Sequence, residues 1–157
     1  MIELSPMTHS QFQAYLEYAV EAYGDSMVRG GNWQAGEAPE LAKQTLHDLL
    51  PNGLETPGHH LLSVVSATLK QPVGYLWVGI AEHDDGPYAY IYDFVILAPF
   101  RRRGYGKAAL SELEKKARAM GARMITAHVY SENYVARALY DQIGYTVDQV
   151  ALTKVVE

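Results

Sequence analysis

Chemistry-bearing residues gather first in Phe100-Arg101-Arg102-Arg103-Gly104-Tyr105-Gly106-Lys107. Gly104 and Gly106 open a helical pattern, and the first amides of a helix lack internal partners while its dipole is positive there. Backbone N–H groups can therefore close on an anion, and Arg101, Arg102, Arg103 and Lys107 add positive side chains suited to phosphate. The segment reads as a pyrophosphate site; by itself it could also be a solvated basic turn that begins a helix. Three titratable groups stand in otherwise apolar patterns. Asp93 lies on the strand before the turn, on the same strand face as Ile91 and Val95, and an acidic residue there needs a partner. His128 is either a hydrogen-bonded strand histidine or a general base, for which a pKa near ~6.5 is suited. Tyr140 sits in a helical pattern, where its hydroxyl is satisfied in a core or used in chemistry.

The elements that must position them follow from periodicity. Ile91 to Leu97 is an apolar run stopped by Ala98-Pro99. Ala108, Ala109, Leu110, Leu113, Ala117 and Met120 mark an amphipathic helix that Gly121 can terminate. Met124 to Tyr130 is a further strand. Strand, helix and strand form a βαβ unit, which makes 88–97 and 124–130 parallel neighbours. Upstream, Ile2 to Met7 reads as an edge strand followed by the capping candidates Thr8 and Ser10. A helix then carries Phe12, Tyr15, Leu16, Ala19, Val20 and Tyr23 on one stripe to about Met27. Gly30-Gly31-Asn32-Trp33 breaks it, and a second helix runs from Pro39 to the stop at Pro51-Asn52-Gly53. From His60 the period approaches two. Leu61 to Ser66 and Val73 to Ala81 form a hairpin, and His83 to Pro87 turns the chain into the Tyr88 to Leu97 strand. Ser131 or Asn133 caps a last helix, Tyr134 to Ile143, and the alternating Tyr145 to Val156 is expected to supply the final strand or strands. The fold class is α/β: a mixed, mostly antiparallel sheet with one parallel βαβ pair, flanked by about four helices.

The totals narrow the function. At 157 residues, with 48% hydrophobic and 20% charged residues, the chain is expected to be a single globular domain over 1–157. A net charge of −5 argues against nucleic acid or a membrane surface as partner. The absence of cysteine removes disulfides, thiolate nucleophiles and zinc–thiolate sites. The N-terminus has no signal-peptide pattern and no apolar run reaches ~20 residues, so a cytoplasmic location is the expectation. His59 and His60, adjacent on a strand, point oppositely and have no evident third ligand, so no metal is expected.

Two motifs then carry a resemblance. Arg101-x-x-Gly104-x-Gly106 resembles the pyrophosphate loop of the GNAT superfamily of acetyl-CoA-dependent N-acetyltransferases, and Asn133-x-x-Ala136-x-x-Leu139-Tyr140-x-x-x-Gly144-Tyr145 is similar to that family's C-terminal signature. Their order, separated by one helix and one strand, matches over essentially the whole chain. In detail the chain looks most like small bacterial members with Ile91-Tyr92-Asp93-Phe94 before the loop. One departure is Arg102, where many relatives carry glycine.

The resemblance implies acetyl-CoA as cosubstrate, no metal, and a primary amine on a small molecule or peptide as acceptor, in a monomer or homodimer. It implies that amides of Arg102 to Lys107 bind the pyrophosphate, that Val95, Ile96 and Leu97 hydrogen-bond the pantetheine arm through their backbone, and that Asn133 and Ala136 lie near the cofactor. Tyr140 would be the general acid for the departing thiolate. His128 and Asp93 are both candidates for the base, and Trp33 with Met27 to Gly31 could shape the acceptor pocket or anchor a loop. A non-catalytic acyl-CoA-binding sensor using the same pocket is the alternative function.

Overall fold

The computed structural model describes residues 1–130 and 133–156. Its elements, in order, are β1 (Ile2–Pro6), α1 (His9–Arg29), α2 (Ala38–Leu49), a short 3-10 turn (Gly53–Glu55), β2 (His59–Ser66), β3 (Gln71–His83), β4 (Gly86–Ile96), a second 3-10 turn (Ala98–Phe100), α3 (Tyr105–Ala119), β5 (Ile125–Ala127) and α4 (Tyr134–Gln142). The five strands make one sheet in the order β1-β2-β3-β4-β5. Its first three pairings are antiparallel, and β4 pairs with β5 in parallel. The chain divides into two compact units, Met1–Ala127 and a second beginning at His128.

In the first unit, local chemistry sets the helix starts. Thr8 is the N-cap of α1 in a capping box: its hydroxyl accepts from the Gln11 amide at 3.2 Å while the Gln11 side chain accepts from the Thr8 amide at 2.9 Å. The same Gln11 oxygen accepts from the Ser63 hydroxyl at 3.0 Å, tying the start of α1 to the sheet. Pro39 occupies the first turn of α2. Phe12, Tyr15 and Ala19 of α1, Leu46 of α2, Leu50, Met7, Leu61 and Trp77 form one buried cluster, so α1 and α2 cover the sheet face to which Leu61 and Trp77 point. The neighbouring residues Leu62, Val64, Leu76 and Val78 are buried on the opposite face. There α3 packs against β1 and β4, with Leu110 and Leu113 fully buried and Tyr105 near the Ser66 hydroxyl.

Two strand expectations are corrected. The strand expected over 124–130 is only Ile125–Ala127, paired with Ala89–Ile91. His128, Val129 and Tyr130 lie beyond its end. Residues 145–156 form no strand: Val147, Val150, Leu152, Val155 and Val156 are 71–91% exposed. Alternation records a propensity, but a strand exists only where its backbone finds a ladder partner, and the described residues give this segment none. Helix α3 begins at Tyr105, a turn earlier than its apolar stripe indicates, so Gly106 and Lys107 lie inside its first turn.

The register of β3 and β4 shifts between Trp77/Val78: Trp77 pairs with Asp93 but Val78 pairs with Ile91, leaving Tyr92 as the extra residue of a β-bulge. Paired residues share a face, so Asp93 lies with Trp77 and Val95 towards α1, and Ile91 lies opposite. The expectation that Asp93 and Ile91 share a face is thus corrected, because the bulge resets the period of two.

Below the bulge the two strands approach closely at Gly74, where a Cβ would collide with the Val95 carbonyl oxygen and meet Ile96 Cα at 3.2 Å. Neither is the free end of a side chain. Gly74→Ala is expected to lower stability by about 1–3 kcal/mol, read as a reduced urea midpoint with an unchanged m-value.

Candidate functional site

The basic turn lies at the C-terminal end of β4, at the edge of the parallel pair. Ile96 is the last strand residue, the Leu97 amide still reaches the Val73 carbonyl at 2.9 Å, and the 3-10 turn then redirects the chain into the arginines. Arg101 closes this corner, its Nε donating to the Ile96 carbonyl at 2.7 Å. Gly104, the N-cap of α3, has φ 83 and ψ 4, a left-handed conformation that glycine adopts without strain. No side chain caps α3, and its first intrahelical bond is Ala108 N to Gly104 O at 3.1 Å. The amides of Tyr105, Gly106 and Lys107 precede that bond, where an anion is favoured. Arg102 has φ 61, also left-handed, a region that glycine adopts more readily than arginine.

Beside the loop, β4 runs on past the end of its ladder with β5. β5 pairs only as far as Ile91, so from Tyr92 to Ile96 that edge has no ladder partner among the described residues of the sheet. Val95 is buried and Ile96 half-buried, and both are held from the other side by β3 through Tyr75 and Gly74. An unpaired inner edge running into a helix N-terminus suits a ligand with a peptide-like arm and a terminal phosphate group.

Asp93 sits half-buried on the α1 side of this edge. The Tyr15 hydroxyl, from the middle of α1, donates to Asp93 Oδ2 at 2.7 Å. Burial raises the Asp93 carboxyl above the ordinary carboxylate value, and the hydrogen bond from Tyr15 opposes that rise without cancelling it. Burial, then the Asp93 charge, raises Tyr15 far above a free phenol, which keeps it a donor at every working pH. Tyr18, a turn further on, is raised by burial and by the same carboxylate, against the opposing charge of Arg101. Tyr15 was legible only as a core position of the α1 stripe. The signal for more was its hydroxyl, which a buried tyrosine must satisfy.

A second aromatic group adjoins Asp93. Tyr92 stacks on Trp77 with centroids 4.8 Å apart and planes at 15°, and lies 5.2 Å from the His59 ring. Trp77 Nε1 donates to His59 Nδ1 at 2.9 Å. Tyr88 and Tyr90 are engaged elsewhere: Tyr88 donates to Asp85 and stacks on His83, while Tyr90 shares a hydrogen bond with His83 Nε2 at 3.0 Å. Trp33 packs edge-on against Tyr23 of α1, so the Gly30–Trp33 break is anchored to the helix it ends. Among the described residues no group of three or more His, Asp or Glu side chains is arranged to hold a metal ion.

In the second unit, Asn133 caps α4, its side chain accepting from the Ala136 amide at 3.3 Å. The alternative cap, Ser131, lies outside the described residues. Tyr140 is half-buried, and its ring meets Tyr145 in a T-shaped contact at 4.9 Å. Gly144, at φ 95, makes the reversal that allows this. His128 is exposed. The structure thus brings Val95 to Leu97, Arg101 to Lys107 and Asp93 to one end of the first unit, while Asn133, Ala136 and Tyr140 share α4 in the second.

The sequence profile of the acetyltransferase (GNAT) family matches residues 13–145. The chain is 41% identical over 153 residues to the Bacillus subtilis (strain 168) protein named "Uncharacterized N-acetyltransferase YycN", covering 98% of this chain and 97% of that one. A second protein of that organism, named "Uncharacterized N-acetyltransferase YdgE", is 28% identical over 151 residues, covering 96% of each. The crystal structure of YycN from Bacillus subtilis matches with a TM-score of 0.91 at 40% identity, over 100% of this chain and 99% of that one. Nearly full-length likeness in sequence and fold, joined to the glycine loop at the end of β4, shows that the chain is an acyltransferase belonging to the acetyltransferase (GNAT) family.

Proposed function

We propose that the protein transfers the acetyl group of acetyl-CoA to a primary amine by direct attack within a ternary complex. The observation that carries this reading is the open β4 edge from Tyr92 to Ile96 leading into the left-handed Gly104 and the leading amides of α3. Backbone groups of Val95, Ile96 and Leu97 fit a pantetheine arm; amides from Arg102 to Lys107, with the side chains of Arg102, Arg103 and Lys107, fit a pyrophosphate. Acetyl-CoA, when bound, supplies an acyl group already activated as a thioester.

The chain's own residues then manage protons. An alkylamine with pKa about 10.4 is mostly charged at neutral pH and must lose a proton before its nitrogen can attack. Asp93 is the base we favour over His128, because it is fixed by Tyr15 and burial raises its basicity. It would take the amine proton, directly or through one water, as the new C–N bond forms. As the C–S bond breaks, Tyr140 would give its proton to the departing sulfur, a role proposed from the motif it matches. Asn133 and Ala136 are proposed to border the cofactor on the same ground. The sensor alternative lacks a reason for a half-buried carboxylate whose proton affinity is raised.

Incubating the protein with acetyl-CoA and a panel of amines is expected to release free thiol above background, and no release with any amine would refute the reading. Tyr140→Phe should lower kcat by about 10²-fold with little change in cofactor binding.

Asp93 links activity to stability. Its raised folded-state pKa means that the native state binds this proton more tightly than the unfolded chain, so stability falls as pH rises from the unfolded value through the folded one. Asp93→Asn is therefore expected to melt higher than the parent at pH ~7, with the gap closing as pH falls through the raised folded value towards about 4, while kcat drops by about 10²-fold. Differential scanning at both pH values, alongside steady-state rates, checks it. Tyr15→Phe removes the bond that favours the charged carboxylate, so the acid limb of the pH–rate profile should move to higher pH. An unmoved limb would take Asp93 out of the base role.

A further inference from the structure

The bulge does more than turn Asp93 towards α1: it sets Tyr92 beside it on the same face. The inner face of Tyr92 is covered by Trp77, yet the residue is 47% exposed. Its flat seat is made by Gly79, where a Cβ would collide with Tyr92 Cε2. The stack is fixed from below, since the Trp77 indole N–H is bound by His59 Nδ1. Burial lowers the His59 pKa, and acceptance at Nδ1 holds the ring neutral, so no positive charge lies under the stack. The result is an electron-rich ring, held rigid, with its outer side open next to a carboxylate.

Charge in the same unit is polarised about this place. From His9 to Glu55, the helical layer on the Tyr92 side, seven carboxylates face two basic side chains. From Leu97 to Ala119, the loop and α3, seven basic side chains stand against two carboxylates, and of these Arg101 also acts on Tyr18 of α1. Glu17, Glu21 and Asp25 follow one another at four-residue spacing along α1. Such a field draws a polyanion to one side and a cation to the other.

We propose that the acceptor is an amine carrying a second positive charge, recognised by the outer face of Tyr92 beside Asp93. This deepens the acetyl-transfer reading and rests on it. A ring preorganised by stacking loses little freedom on binding, and a cation over its face is attracted by the ring quadrupole. A monoamine can offer one charge to Asp93 and leaves the ring face unused. An anionic acceptor meets both the carboxylate and the acidic helical layer.

The test uses the full chain, acetyl-CoA, and two probes of equal length: 1,4-diaminobutane, which keeps one ammonium when the other nitrogen reacts, and butylamine, which keeps none. The parent should prefer the diamine in kcat/KM. Tyr92→Leu should lower the diamine-to-butylamine ratio by about 3- to 30-fold, the size of a cation–π contact, while Tyr92→Phe and Tyr92→Trp, which retain the π face, should preserve it. Thermal melts of all three variants report whether they fold. A parent without preference overturns the inference, as does a Leu variant with an unchanged ratio or a Phe variant that loses as much as Leu. Turnover of other amines but of neither probe also overturns it. Turnover of no amine at all would instead strike the acetyl-transfer reading.

Discussion

The bulge at Tyr92 is the constraint on which the rest of the first unit turns. One extra residue in β4 breaks a ladder that is otherwise regular from Gly86 to Ile96. Without it, Asp93 would share a face with Ile91, on the α3 side among Leu110, Leu113 and Val78. With it, the carboxylate reaches the Tyr15 hydroxyl. The same insertion ends the stretch in which β5 can follow β4, since the parallel ladder stops at Ile91. A half-buried acid and a strand edge that its parallel neighbour leaves unpaired are thus two results of a single register change.

Around that point the unit divides its labour by sheet face. The α3 face is conventional apolar packing, with Leu76, Val78, Leu110 and Leu113 nearly inaccessible. The α1 face mixes hydroxyls, rings and one carboxylate into its packing, with Tyr15, Tyr75, Trp77 and Asp93 at or near the core and Tyr92 at its exposed rim. Burying a carboxylate there costs stability unless it is hydrogen-bonded, and a fold that retains such a group carries a cost its packing alone does not require. The capping box at Thr8, shared with Ser63 through Gln11, fixes where α1 starts and hence where Tyr15 falls.

Much of this was legible from residues whose local physics is unambiguous. Thr8 as a cap, Pro39 in a first turn, Gly104 at a helix start and the hairpin between β2 and β3 all depend on neighbours a few positions away. So did the pairing of the glycine loop with the Asn133–Tyr145 signature, which carried the family. What escaped depended on distant partners. Period-two reasoning assumes that no residue is inserted, so the bulge and the true face of Asp93 could not be read from Ile91-Tyr92-Asp93 alone. The extent of β5 and the state of 145–156 were equally hidden, because alternation is the same whether or not a neighbouring strand is there to meet it. Tyr15 was placed correctly on its stripe, but its hydroxyl's partner lies 78 residues away.

Arg102 has a consequence of its own. It occupies the left-handed region at φ 61, which costs an ordinary residue about 1–2 kcal/mol and glycine almost nothing. The folded protein carries that cost permanently, so the turn into α3 is bent to shape in advance of any ligand. A glycine there would give a softer loop that must be stiffened at each encounter. The arginine places the cost of ordering in the moment of folding, giving up a little global stability for a loop whose bend is set in advance.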